Sequence, residues 1–194
     1  VKRLIVGISG ASGVIYGIRL LEVLRSYPDV ETHLVMTETA RRIVTLETQW
    51  LPEQVEALAT RVYPPADLCA PIASGSFPTD GMVVAPCSVK SMSGIASSFA
   101  ENILIRAADV TLKERRTLVL LFRETPLHAG HLRSLTRLAE IGAVIMPPVP
   151  AFYHRPETIE DIVMQTIARV LDQFRIPHDL SPRWRGDGSA GFVT

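Results

Sequence analysis

The stretch VKRLIVGISGASGVIYG, Val1 to Gly17, places a short apolar strand directly before a glycine-rich turn and a helix that starts at Val14. That order makes an anion cradle. Gly7, Gly10 and Gly13 let the backbone turn sharply and approach a ligand, and the unpaired N–H groups that open the next helix point at whatever binds there. The spacing is GxxGxxG rather than the dinucleotide GxGxxG, and Ser9 and Ser12 add two hydroxyls that the nucleotide pattern does not require. A phosphate is the expected occupant, with a merely structural tight turn as the alternative.

Composition narrows the class. A chain of 194 residues with 47% hydrophobic content buries a substantial core and is expected to form one domain. Lys plus Arg equals Asp plus Glu at 20 each, so no overall field argues for nucleic acid or an anionic membrane. Cys69 and Cys87 are the only cysteines, which implies no disulfide framework and fits a reducing, cytoplasmic setting. No apolar run approaches the ~20 residues that cross a bilayer, and the start is too short in apolar residues for a secretory signal.

Working outward from the first strand, continuous apolar runs are expected as strands over 3–8, 31–36, 81–85, 117–122 and 143–146. Helices are expected over 14–26, 38–47, 52–60, 89–99, 102–115, 126–141 and 158–174. Alternating strands and helices, with strands apolar on both faces, predict a doubly wound α/β sandwich around a parallel sheet. Its ligand crevice should lie at the carboxyl ends of the strands. The unusual residues fall there: Ser9 and Ser12, then Thr37, then Pro86-Cys87-Ser88, then Arg123-Glu124, then Tyr153-His154-Arg155. A purely structural sheet has no need of such a rim.

The other polar groups have competing readings. Arg115 and Arg116 read as a solvated helix face, whereas Arg106 and Lys113, seven apart, share a helical face and are suited to one phosphate. His128 and His131 lack a third ligand nearby and read as a partly exposed helix pair. Cys87 follows a strand and precedes a helix, but no base neighbours it in sequence, so a nucleophilic role is the lesser reading. Trp184 sits between two arginines in a proline-containing tail, an odd place for a core aromatic.

Five ordered blocks carry a family resemblance: GlyAlaSerGly with Tyr16-Gly17, AlaProCysSer ending at Ser88, RAADVTLKERR from Arg106 to Arg116, RETPLH from Arg123 to His128, and PAFYHRP from Pro150 to Pro156. Together they resemble the UbiX/Pad family of flavin prenyltransferases, over the chain from the first strand to Trp184. The resemblance implies a flavodoxin-like (Rossmann-type) three-layer sandwich, with one flavin-binding domain over 1–185 and a tail over 186–194. It implies metal-independent transfer of a dimethylallyl group from dimethylallyl monophosphate to N5 and C6 of reduced FMN. The prenylated FMN would serve a partner UbiD-type decarboxylase, in ubiquinone biosynthesis or aromatic acid decarboxylation. A homododecamer is implied, with each site shared between neighbouring subunits. By motif position, Gly10, Ala11, Ser12, Thr37, Ser88 and Arg123 would hold FMN. Arg106, Lys113, Tyr153 and Arg169 would hold the prenyl phosphate, and Ser12, Glu47, Glu124 and Trp184 would carry the chemistry.

Those roles have a physical sense. Cleaving an allylic C–O bond leaves negative charge on phosphate, which preorganised cations stabilise, and positive charge on the prenyl group, which an aromatic wall tolerates. Ser12 is placed to relay the N5 proton to Glu124. Thr37 stands where many relatives have Ser, and Phe122 replaces a smaller residue before Arg123. A flavin-dependent cysteine decarboxylase is the runner-up, but its Pro-x-Met-Asn block is absent at Pro86 to Val89. A flavin carrier and a direct aromatic acid decarboxylase are the remaining alternatives.

Overall fold

The computed structural model describes residues 1–184. The elements run β1 (Lys2–Ile8), α1 (Val14–Arg25), β2 (Val30–Met36), α2 (Glu38–Glu47), α3 (Pro52–Glu56), β3 (Arg61–Tyr63), a 3₁₀ turn (Pro71–Ala73), β4 (Gly81–Cys87), α4 (Val89–Ala96), α5 (Ile103–Lys113), β5 (Thr117–Phe122), α6 (Ala129–Glu140), β6 (Val144–Ile145) and α7 (Ile159–Gln173). The strands form one parallel sheet in the order β3-β2-β1-β4-β5-β6. The order reverses at β1, whose neighbours are β2 and β4, so loops after β1 and β4 diverge and leave a crevice at their carboxyl ends.

Strand alternation splits the core into two layers. Leu4, Val6 and Ile8 face a cluster with Ile18, Leu21 and Leu24 of α1 and Ile167, Val170 and Leu171 of α7. Ile5 faces the opposite cluster, with Met82, Val84, Leu118 and Leu120 of the sheet against Met92 of α4 and Leu104 and Ala108 of α5. Each fully buried aliphatic side chain contributes about 1.5–3 kcal/mol, so the sheet is held rigidly from both sides. Gly17 sets the depth of one layer, because a Cβ there would collide with the Ala85 carbonyl and lie 2.8 Å from Ile8 Cδ1.

The fold departs from the sequence expectations at short elements. β3 was not expected; its three residues give no period, and pairing with β2 makes it a strand, helped by reciprocal Thr32–Thr60 hydrogen bonds and a 2.8 Å His33–Tyr63 contact. α6 starts at Ala129 rather than 126, because His128 caps it, and α3 stops at Glu56. The division between a domain ending at 185 and a tail over 186–194 lies outside the described residues. Among the described residues, no helix is long and apolar enough to cross a membrane, and no group of three or more His, Cys, Asp or Glu is placed to hold a metal ion.

Candidate active site

The glycine-rich loop is tied down by its first serine and left open by its second. Ser9 is fully buried; its Oγ donates to the Pro86 carbonyl at 2.8 Å and accepts from the Ser88 N–H at 2.8 Å. This hydroxyl, expected at the ligand, instead locks the ends of β1 and β4 together. Ser12 is exposed at the loop tip. Gly13, at φ 95°, takes the left-handed conformation that starts α1 without a side-chain cap. Its N–H donates to Glu47 Oε2 at 2.8 Å, which brings the end of α2 back to the loop.

Other strand ends supply helix caps. Thr37 Oγ1 accepts from the Ala40 N–H at 3.2 Å and opens α2, and Ser88 Oγ accepts from the Ser91 N–H at 3.2 Å and opens α4. The Arg123 N–H donates to the Cys87 carbonyl at 3.1 Å, carrying the β4–β5 pairing out to the rim. Glu124 Oε1 accepts from the Thr125 N–H at 3.0 Å. The result is one cavity of about 540 Å³ lined by Gly10, Ala11, Ser12, Thr37, Ser88, Arg123 and Glu124. All six residues expected to hold FMN, and the proposed proton acceptor, therefore meet in one place. Glu38, Lys90 and Asn102 also line it and were missed, since nothing in their local sequence distinguishes them from ordinary helix-terminal polar residues. Arg123, Lys90 and the five hydroxyl side chains of Ser12, Thr37, Thr39, Ser88 and Ser91 suit a phosphate-bearing ligand of flavin size.

A second cavity, of about 340 Å³, lies along α7 and holds Tyr153, Arg169 and Trp184. The Tyr153 and Trp184 rings meet edge to face with centroids 5.8 Å apart, and Gln165 Nε2 donates to the Tyr153 hydroxyl at 3.4 Å. Ser181 to Trp184 thus pack along α7. Asp172 accepts from Arg169 Nη1 at 2.6 Å, Arg183 Nη2 at 2.8 Å and His178 Nε2 at 3.1 Å. Burial works to raise this carboxyl, but the Arg183 and His178 hydrogen bonds outweigh it and hold it below the ordinary carboxylate range.

Arg106 and Lys113 line neither cavity. Both lie on α5, where Arg106 donates to the Ala73 carbonyl at 3.1 Å and Asp109 at 3.0 Å, and Lys113 pairs with Glu114. Arg116, expected on a solvated face, instead clamps a loop by donating to the Gly75 and Phe77 carbonyls at 2.8 and 3.0 Å. Cys87 is fully buried, and burial pushes its thiol up to about 12, so it is no nucleophile. His128 Nδ1 accepts from the Gly130 and His131 N–H groups, and its ring stacks on His131 at 3.6 Å, a capping role.

Residues 1–172 match a family model described as Flavoprotein. A curated flavin prenyltransferase UbiX from Salmonella typhimurium is 62% identical over 187 residues, covering 95% of this chain and 99% of its own length. Among solved structures, a dodecameric FMN-dependent UbiX-like decarboxylase from Escherichia coli O157:H7 superposes with a TM-score of 0.94 at 50% identity, covering 95% of this chain and 100% of that one. AnUbiX (PadA1), in complex with FMN and dimethylallyl pyrophosphate, superposes at 0.93 with 46% identity, covering 95% and 98%.

Proposed function

The chain belongs to the flavoprotein family, at 62% identity to a curated flavin prenyltransferase, and from that premise we propose that it transfers a dimethylallyl group from dimethylallyl monophosphate to reduced FMN. The observation that carries this reading is the convergence of Gly10, Ala11, Ser12, Thr37, Ser88 and Arg123 on one cavity with Glu124 at its rim. Reduced FMN supplies the nucleophilic N5 and C6. The chain's own residues do the rest. Arg123 and Lys90 bind the flavin phosphate, and Thr37 and Ser88 border it. Ser12 accepts the N5 proton as the bond forms and passes it to Glu124 in the same cavity. Glu47 fixes the loop through Gly13.

The leaving phosphate meets cations of α5 and α7. Tyr153 and Arg169 line one cavity, while Arg106 and Lys113 stand apart on α5. This separation supports a homo-oligomer in which neighbouring copies complete each site, a dodecamer like the E. coli O157:H7 neighbour. Trp184 and Tyr153 give the allyl cation a π-rich wall, worth roughly 1–2 kcal/mol. Cytoplasmic placement and supply of prenylated FMN to a UbiD-type decarboxylase belong to the same proposal.

Direct decarboxylation is the competing reading. Incubated alone with hydroxybenzoate or cinnamate-type acids, the protein is expected to release no carbon dioxide. With reduced FMN and dimethylallyl monophosphate under anaerobic conditions, it should restore an inactive UbiD-type decarboxylase, and a small-molecule extract of that reaction should do the same. Carbon dioxide released by this chain alone would replace the prenyltransferase reading with the decarboxylase one.

A further inference from the structure

The second cavity contains more cation chemistry than Arg169 accounts for. Arg183 also lines it, and its Nη2 and Nη1 both reach the Asp172 carboxylate, at 2.8 and 3.4 Å. Arg169 approaches the same carboxylate from the other side, three residues earlier on α7, at 2.6 Å. One carboxylate therefore gathers two permanent cations, and the pair keeps a surplus positive charge. Among the described residues, Arg169 Nε and Nη2 and Arg183 Nε make no hydrogen bond to protein, so donors remain for an anion.

Two independent features mark the cavity as built for a polar ligand. The His178 side chain is 2% exposed, with Nε2 on Asp172 and Nδ1 without a protein partner among the described residues; Ser181 Oγ is likewise buried and unpartnered among them. Both residues line the cavity. Buried polar atoms of this kind are rare unless a ligand or water completes them. Asp172 also does mechanical work. Through His178 and Arg183 it fastens the segment 178–184 to α7, and that segment ends in Trp184.

We infer that Arg183 is a second guanidinium for the substrate phosphate, and that Asp172 is the positioning residue that holds Arg183 and Arg169 at this cavity. The identity of the phosphate's owner rests on the prenyl-transfer reading; the anion site itself does not. Two guanidiniums brought together without Asp172 would repel, and the strap carrying Arg183 and Trp184 would lose its anchor. Bidentate Arg forks match the oxygens of a phosphate ester.

The test is calorimetric titration of protein loaded with oxidised FMN, which binds without turning over, using dimethylallyl monophosphate and, separately, inorganic phosphate. Arg183→Ala should raise the Kd for dimethylallyl monophosphate about ten- to a hundredfold, the effect of one charge-assisted hydrogen-bonded group. Asp172→Asn should also weaken it, and in turnover with reduced FMN its KM should rise far more than its kcat falls; Asp172→Glu should recover part of the loss. FMN affinity, read at the other cavity, should stay unchanged in all three variants and reports that they are folded. Unchanged or tighter binding in Arg183→Ala or in Asp172→Asn would overturn the inference, the latter by showing that the carboxylate only competes with phosphate. Arg183-dependent binding of inorganic phosphate without any affinity for dimethylallyl monophosphate would uphold the anion site and sink the prenyl-transfer reading.

Discussion

Ser9 and Ser12 lie three residues apart and do opposite things. Ser9 is buried and fully engaged with Pro86 and Ser88, whereas Ser12 is exposed and lines the larger cavity, as Glu124 does. A hydroxyl that only relays a proton is dispensable for binding. Ser12→Ala should therefore retain FMN while slowing adduct formation about a hundredfold or more, read by stopped-flow absorbance; an unchanged rate would remove Ser12 from the proton path. At this scale the sequence was legible for the polar residues that follow a strand and face the crevice, Thr37, Ser88, Arg123 and Glu124. It was not legible where a role depends on meeting a distant partner. Asp172 and Arg183 are 11 positions apart on the chain and acquire their meaning only when the segment after α7 folds back. Ser9 shows the reverse error, a residue in the right place whose hydroxyl points into the structure.

Among elements, the crevice depends on the ends of β1 and β4 staying in register, and the Ser9 hydroxyl is the bolt between them. Ser9→Ala would leave the Ser88 N–H without its partner in a buried setting, while the Pro86 carbonyl keeps the Ser9 N–H at 3.2 Å, at a cost of about 1–3 kcal/mol. A lowered denaturant midpoint is the expected outcome, together with weaker FMN binding, because Ser88 opens α4 at the flavin cavity. A wild-type midpoint would mean that the register is held elsewhere. The long strands were readable from their apolar runs, since burial on both faces leaves an unbroken signature. β3 was not, because three half-exposed or exposed residues carry no pattern and owe their strand geometry to β2. The start of α6 moved because His128 supplies a cap that its sequence neighbours did not advertise.

At the scale of the whole molecule, the sheet order brings the ends of β1, β2, β4 and β5 to one cavity, but Tyr153, expected at the same rim, lies in the other, and the residues expected to hold the prenyl phosphate fall into two groups. Arg106 and Lys113 ride on α5, and Tyr153 and Arg169 belong to the cavity along α7. If neighbouring copies join these groups, chains carrying Lys113→Ala and chains carrying Arg169→Ala, each inactive alone, should regain a measurable fraction of activity when co-expressed in mixed oligomers. Mixed oligomers as inactive as either parent would confine the site to one chain. The sequence foretold the doubly wound sandwich because alternating strands and helices leave few topologies. How copies meet was not legible from spacing, since interface residues look like any exposed surface until a partner covers them. Prenyl transfer to flavin is read in one experiment, mass spectrometry of the flavin extracted after anaerobic incubation of the protein with reduced FMN and dimethylallyl monophosphate. The expected product is a flavin heavier than FMN by one dimethylallyl unit, with inorganic phosphate released in equal amount; recovery of unmodified FMN alone, from protein that binds both substrates, would rule out prenyl transfer.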